Sequence, residues 1–300
     1  MYQYKKDILK IFKTKVNNPT EYLQLARTIQ KILSSKGCCE IIFLPFLLYE
    51  SKPINKETLT NLCVANISGW VAYTIFDDIL DGQSDVSLLP LAQKLIRMMY
   101  YTYFSILQNE NDKLIIKKIL DYGDSAYYLE KKFCHFAVIS NQIDLKRFSP
   151  YKKIETVRQK SIGCSTSAII ASMIADDDSI GILKFFKYFL SAKQLSDDAC
   201  DWFKDLKNGL ETMASSAVLS EWKKSEHHFL DLETDHQEIN RIFWKKVVPK
   251  ISRQILFEIN KSREIIRMTK LVENTEIFER LLRPIEHGAK QAMKKSLSNF

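Results

Sequence analysis

The chain is short of helix breakers: 8 glycines and 7 prolines are spread through 300 residues. So few turn formers exclude a many-stranded β fold, and the Leu, Ile, Lys, Glu, Phe and Tyr between them favour long helices. The expected class is all-α. No stretch rich in Gly, Ser or Pro and no shift in composition marks a boundary, so residues 1–300 read as one domain, with 1–20 a peripheral N-terminal helix. A CxxC pairing is also missing. The 6 cysteines (Cys38, Cys39, Cys63, Cys134, Cys164, Cys200) have no histidine at zinc-ligand spacing and read as reduced core thiols. The longest apolar run, Ile41 to Tyr49, contains Pro45 and falls far short of the roughly 20 residues a transmembrane helix needs. The opening MYQYKKDILKIFKTK lacks the continuous apolar region of a secretory signal, so a cytoplasmic protein is expected. Finally, no long basic run exists. The 44 basic and 36 acidic residues are interspersed, which argues against nucleic-acid binding, while the net charge of +8 would concentrate small polyanions.

What the sequence has in abundance is apolar periodicity of three to four residues, punctuated where helix ends belong. Helices are expected from near Glu21, from about Lys56 to Asp81, from Pro90 through Phe104, over about 113–136, 151–175 and 179–207, and in three or four further segments punctuated by Pro249, Asn274 and Pro284. The stretch Ser140 to Pro150 reads as a loop, and Asp176-Asp177-Asp178 as the cap of the helix starting at Ser179.

Two acidic clusters stand out. Asp77-Asp78-Ile79-Leu80-Asp81 closes an apolar helix, and at about 100° per residue Asp77 and Asp81 share one face. About 120 residues on comes Gln194-Leu195-Ser196-Asp197-Asp198-Ala199-Cys200-Asp201, followed by Asp205. Asp197, Asp201 and Asp205 drift only about 80° around a helix and form an acidic stripe. Like charges at this spacing destabilise a helix, and a divalent cation reverses that cost. Each cluster alone is compatible with a solvated face. Together they point to a metal-holding cavity between facing helices, walled by the aromatic candidates Trp70, Tyr73, Phe76, Phe136, Phe189 and Trp202.

The pair DDILD and QLSDDACD resembles the two aspartate-rich motifs of the class I isoprenoid synthases, the superfamily of trans-prenyl diphosphate synthases and class I terpene cyclases. The resemblance spans roughly Glu21 to Phe300 and implies an all-α bundle around a central cavity. It implies Mg²⁺ (three ions with the bound diphosphate, Mn²⁺ being a substitute) held by Asp77, Asp78, Asp81, Asp197, Asp198, Asp201 and Asp205. The stretch ending Lys160-Ser161 is similar to the Lys-Thr segment of prenyl synthases, which makes Lys160 a diphosphate contact, with Arg158, Lys204 and Gln194 as further candidates. Ala72 and Tyr73, before the first motif, fall where the family sets cavity depth, leaving C15 and C20 substrates open.

The departures matter too. The Gly-Lys-x-x-Arg-Pro segment with which chain elongators bind isopentenyl diphosphate has as its nearest counterpart Ser35-Lys36-Gly37 through Pro45, which lacks the arginine. No arginine follows the first motif between Gly82 and Leu91. The expected function is therefore a class I terpene synthase that ionises one allylic prenyl diphosphate to a cyclised, deprotonated or water-quenched product. A prenyltransferase using isopentenyl diphosphate and a catalytically silent partner subunit are the alternatives, and a homodimer is compatible with all three.

Overall fold

A computed structural model describes residues 2–34, 36–50, 52–80, 84–225, 227–269 and 275–298. The chain is overwhelmingly helical: α1 (Tyr2–Val16), α2 (Pro19–Ser34), α3 (Lys36–Ile42), α4 (Leu44–Tyr49), α5 (Lys56–Leu80), α6 (Leu89–Ile106) and α7 (Glu110–Phe133) lead into a short strand, β1 (Gln142–Asp144). There follow α8 (Ile154–Val157), a 3₁₀ turn (Lys160–Ser165), α9 (Thr166–Ile174), α10 (Ser179–Lys207), α11 (Met213–Lys223), β2 (Phe229–Asp231), α12 (His236–Ile242), α13 (Val248–Met268) and α14 (Glu276–Ser298). The all-α class stands. The chain divides into two compact units, one of residues 1–120, 163–183 and 269–277, the other of 121–162, 184–268 and 278–300.

In the first unit α5 is the central helix, packed against α1, α2, α4, α6 and α9. Its long apolar sequence explains that position: by length and composition it could cross a membrane, yet 72% of its most apolar window is buried inside the protein. Gly69 lets α6 approach closely, because a Cβ there would collide with the Met99 sulfur. Asn66, buried on the same helix, donates from Nδ2 to the Cys164 carbonyl at 2.9 Å and to the Ser167 hydroxyl at 2.7 Å. These bonds hold the place where the expected continuous helix of 151–175 is broken. Instead of one helix the chain makes α8, a 3₁₀ turn and α9, because Gly163 and the small polar residues around it leave the backbone weakly committed to the α form. At the start of α10, the Asp178 carboxylate accepts from the Gly181 backbone N–H at 2.8 Å, the cap expected there.

In the second unit the loop expected over 140–150 contains β1, which pairs antiparallel with β2 in the register Ile143 to Leu230. Two prolines also differ from expectation. Pro249 sits at the second position of α13, just after a π-helical turn over Phe243–Val247. Pro284 lies inside α14, where Arg263 bridges Glu279 (2.9 Å) and Glu286 on either side and Leu281 and Leu282 are buried. Asn274 and the side chain of Cys38 lie outside the described residues. Cys39, Cys63 and Cys134 are buried and Cys164 is half-buried, but Cys200 faces solvent, since it sits on the outer side of α10 and is not a core thiol.

Candidate active site

The first motif ends α5. Asp77 and Asp78 are half-buried there, beside Trp70, Tyr73 and Phe76, which are half-buried as well; Ala72 is fully buried. The Tyr73 and Phe76 rings meet edge to face, with centroids 6.2 Å apart. Asp81 lies outside the described residues.

The second motif lies on α10, and its aspartates divide between water and core. Asp197 and Asp201 are exposed, and Asp197 pairs with Lys193 at 2.6 Å. Asp198 and Asp205 are buried, at 4% and 9% exposure. Seven residues are nearly two helical turns, so these two lie within about 20° of each other on the helix. The buried face therefore carries Asp198 and Asp205, with Asp201 at its edge and Asp197 on the outside. Asp198 accepts from Gln194 Nε2 at 2.8 Å and from the Met213 backbone N–H at 3.2 Å. Burial pushes its carboxyl up to about 6, against the pull of those two bonds. Burial, and after it the Asp198 charge, push Asp205 up to about 7, and a hydrogen bond with Thr212 opposes the rise.

Such oxygens match a hard divalent cation: two carboxylates forced together out of water gain most when a positive charge joins them. Among the described residues no three His, Cys, Asp or Glu side chains gather closely enough to hold a metal ion by themselves.

The basic candidates have defined partners. Lys160 Nζ lies 2.7 Å from both carboxylate oxygens of Glu130. Arg158 stands 3.6 Å from Glu258, and its buried Nε has no hydrogen-bond acceptor. Lys204 is exposed, and Gln194 orients Asp198. Trp202 stacks on Phe243 with centroids 4.4 Å apart, and Phe189 lies in a buried cluster with Phe185 and Phe186. Phe136 contributes to a cavity of about 550 Å³ lined also by Phe133, Phe148, Glu211 and Phe229, which includes none of the motif aspartates.

No family model and no curated protein matches the sequence. Solved structures do. The octaprenyl pyrophosphate synthase of Helicobacter pylori superposes with a TM-score of 0.65 at 15% identity, over 94% of this chain and 99% of that one. A geranylgeranyl pyrophosphate synthase does so with a TM-score of 0.65 at 15% identity, over 96% and 98%. The chain has the isoprenoid-synthase fold. The likeness runs nearly end to end in both directions, as the resemblance of the two aspartate motifs implied.

Within this isoprenoid-synthase fold, sequence reading missed Glu130. It is one of two Glu residues in the Lys-rich helix α7, and nothing in its spacing distinguishes a buried counter-ion from a surface charge. It also missed the segment Leu210–Met213, whose bridge to His135 and backbone bond from Glu211 N–H to the Cys134 carbonyl bring the Met213 N–H to Asp198. Thr212 caps α11 there in a reciprocal pair with Ser215, which sequence reading did not single out either.

Proposed function

We propose that this protein is a Mg²⁺-dependent, water-soluble cytoplasmic enzyme that processes an allylic prenyl diphosphate, and that it is a prenyltransferase. The observation that carries the reading is the buried carboxylate pair Asp198 and Asp205 on α10, within a fold whose solved relatives include prenyl pyrophosphate synthases. Asp77, Asp78, Asp81, Asp198, Asp201 and Asp205 are the proposed Mg²⁺ ligands. When bound, the ions supply Lewis-acid stabilisation of the diphosphate leaving group. The residues of the chain do the rest. Gln194 and the Met213 N–H fix the Asp198 carboxylate in place, Lys160 carries positive charge for the diphosphate, and apolar and aromatic side chains exclude water from the ionised allyl group.

A terpene synthase is the second reading, favoured by the missing arginines between Gly82 and Leu91 and in Ser35 to Pro45. A second diphosphate would lack its charge-assisted partners there. Incubation with geranyl, farnesyl and geranylgeranyl diphosphates, with and without Mg²⁺ and isopentenyl diphosphate, separates the two by mass spectrometry. A lengthened diphosphate made only with isopentenyl diphosphate supports the transferase. Diphosphate release with a hydrocarbon or alcohol product and no second substrate supports the synthase, and no Mg²⁺-dependent release from any of them overturns both.

A further inference from the structure

Lys160 is held by a buried carboxylate, that of Glu130. Its ammonium lies 2.7 Å from each oxygen of the Glu130 carboxylate. Both side chains are largely withdrawn from water, Lys160 to 20% and Glu130 to 7% exposure. A lysine neutralised this symmetrically has little charge left for an incoming anion. The surroundings sharpen the conflict. The buried Cys134 thiol is pushed up to about 12 by its burial and by the carboxylates of Glu211, Glu130 and Asp198, with Lys160 the opposing charge. Lys160 thus stands among carboxylates, and the same residues also bear on Asp198 of the second motif.

Resting on the reading of Lys160 as a diphosphate contact, we propose that Glu130 is a positioning residue that stores the Lys160 ammonium and competes with the diphosphate for it. While the site is empty, Glu130 keeps a buried cation satisfied and out of reach of stray anions. When a diphosphate arrives, Lys160 exchanges one carboxylate oxygen for a phosphate oxygen without changing protonation. Such a store filters ligands: a singly charged anion gains too little from Lys160 to displace Glu130, whereas a diphosphate accompanied by divalent cations gains enough. The same geometry predicts a sign opposite to that of an ordinary structural salt bridge, because removing the Glu130 charge should improve anion binding.

The test is calorimetric titration of inorganic pyrophosphate with Mg²⁺ into wild-type protein, Glu130→Gln, Glu130→Asp, Lys160→Gln and the Glu130→Gln/Lys160→Gln double variant. Circular dichroism verifies the fold of each, and KM and kcat for the allylic diphosphate are read alongside. Glu130→Gln should tighten pyrophosphate by roughly 3- to 10-fold and lower KM, Glu130→Asp should do so less, and the double variant should bind as weakly as Lys160→Gln. Unchanged or weakened binding in a folded Glu130→Gln overturns the proposal. If that variant does not fold, Glu130→Asp decides by the same criterion. Wild-type protein that binds no pyrophosphate in Mg²⁺ overturns the functional reading along with it, whereas wild-type binding without a gain in the variants overturns the storage role alone.

Discussion

Asp198 and Asp205 turn toward one buried face of α10, and the charge of Asp198 is the largest electrostatic influence on Asp205 after burial. A folded protein with no cation has to keep two carboxylates out of water beside each other. Their native affinities for protons, at about 6 and about 7, lie above the ordinary range near 4, so the native state binds protons that the unfolded chain has already released. Stability from this source is fully present below about pH 4 and is lost as pH rises through 6 and 7. Glu221 and Glu286, held down to about 2 chiefly by hydrogen bonds from Lys224 and Lys250 and from Arg263 and Lys290, have the opposite sign, but they act only below about pH 4.5. Metal-free protein should therefore be more stable at pH 5 than at pH 8, by about 1.4 kcal/mol from Asp198, because only the one unit between pH 5 and its native value of about 6 contributes, at about 1.4 kcal/mol per tenfold change in proton affinity. Denaturant unfolding in a chelator checks this. A rise in stability between those two values contradicts it, and added Mg²⁺ should flatten the slope.

The same relationship sets stability against function at one residue. Asp198→Asn keeps the shape of the side chain and a carbonyl oxygen to accept from Gln194 or Met213, while removing a buried charge. In chelator at pH 8 the variant should be more stable than wild type, by about 1–2 kcal/mol. With Mg²⁺ and substrate its diphosphate release should fall by about 100-fold or more, because a carboxylate is replaced by a weak neutral ligand. Melting curves and a phosphate-release assay on the same preparation read both effects. A stable variant of undiminished activity would remove Asp198 from the proposed machinery.

How far the sequence reaches is visible at α10 itself. Its existence, its length and its acidic character follow from apolar periodicity and spacing, since those are local properties of the chain. Which aspartate is buried does not. Asp197 and Asp198 are neighbours of the same type, and the later segment ending at Met213, whose backbone N–H reaches Asp198 and not Asp197, is a distant contact that spacing does not reveal. The same limit explains the 140–150 stretch, where strands of only three residues leave too short an alternation to read, and Glu130, whose importance comes from a lysine 30 residues away. Asp77 and Asp78 were legible as a motif at a helix end, which is where α5 places them.

Among the described glycines Gly209 is the one with a positive φ. It follows α10 with φ at +67°, a left-handed conformation that L side chains adopt at a cost, and a Cβ there would collide with the Phe136 carbonyl oxygen. Its own carbonyl accepts from the Phe136 N–H at 2.8 Å, so the collision cannot be relieved without breaking that bond. Gly209→Ala should cost about 2–4 kcal/mol. It should also disturb Asp198, because the chain from 209 to 213 carries the Met213 N–H. A thermal midpoint within a degree of wild type would show that the segment shifts freely.

Substitutions at Asn66 separate a structural role from a chemical one. Its amide satisfies the Cys164 carbonyl and the Ser167 hydroxyl from the middle of α5, thereby fixing the turn between the Lys160 segment and α9. Asn66→Ala removes both bonds and leaves two polar groups with poorer partners in a dry environment, at about 1–3 kcal/mol for each. Asn66→Asp keeps the size but turns the donor into an acceptor facing an acceptor at Cys164, and should be worse than the alanine variant above pH 6. Because neither variant touches the motif aspartates, the loss should appear in unfolding free energy first. Activity measured well below the unfolding midpoint should fall only as far as the Lys160 turn loosens, through a raised KM. A variant with unchanged stability and a lost kcat would instead place Asn66 in the chemistry.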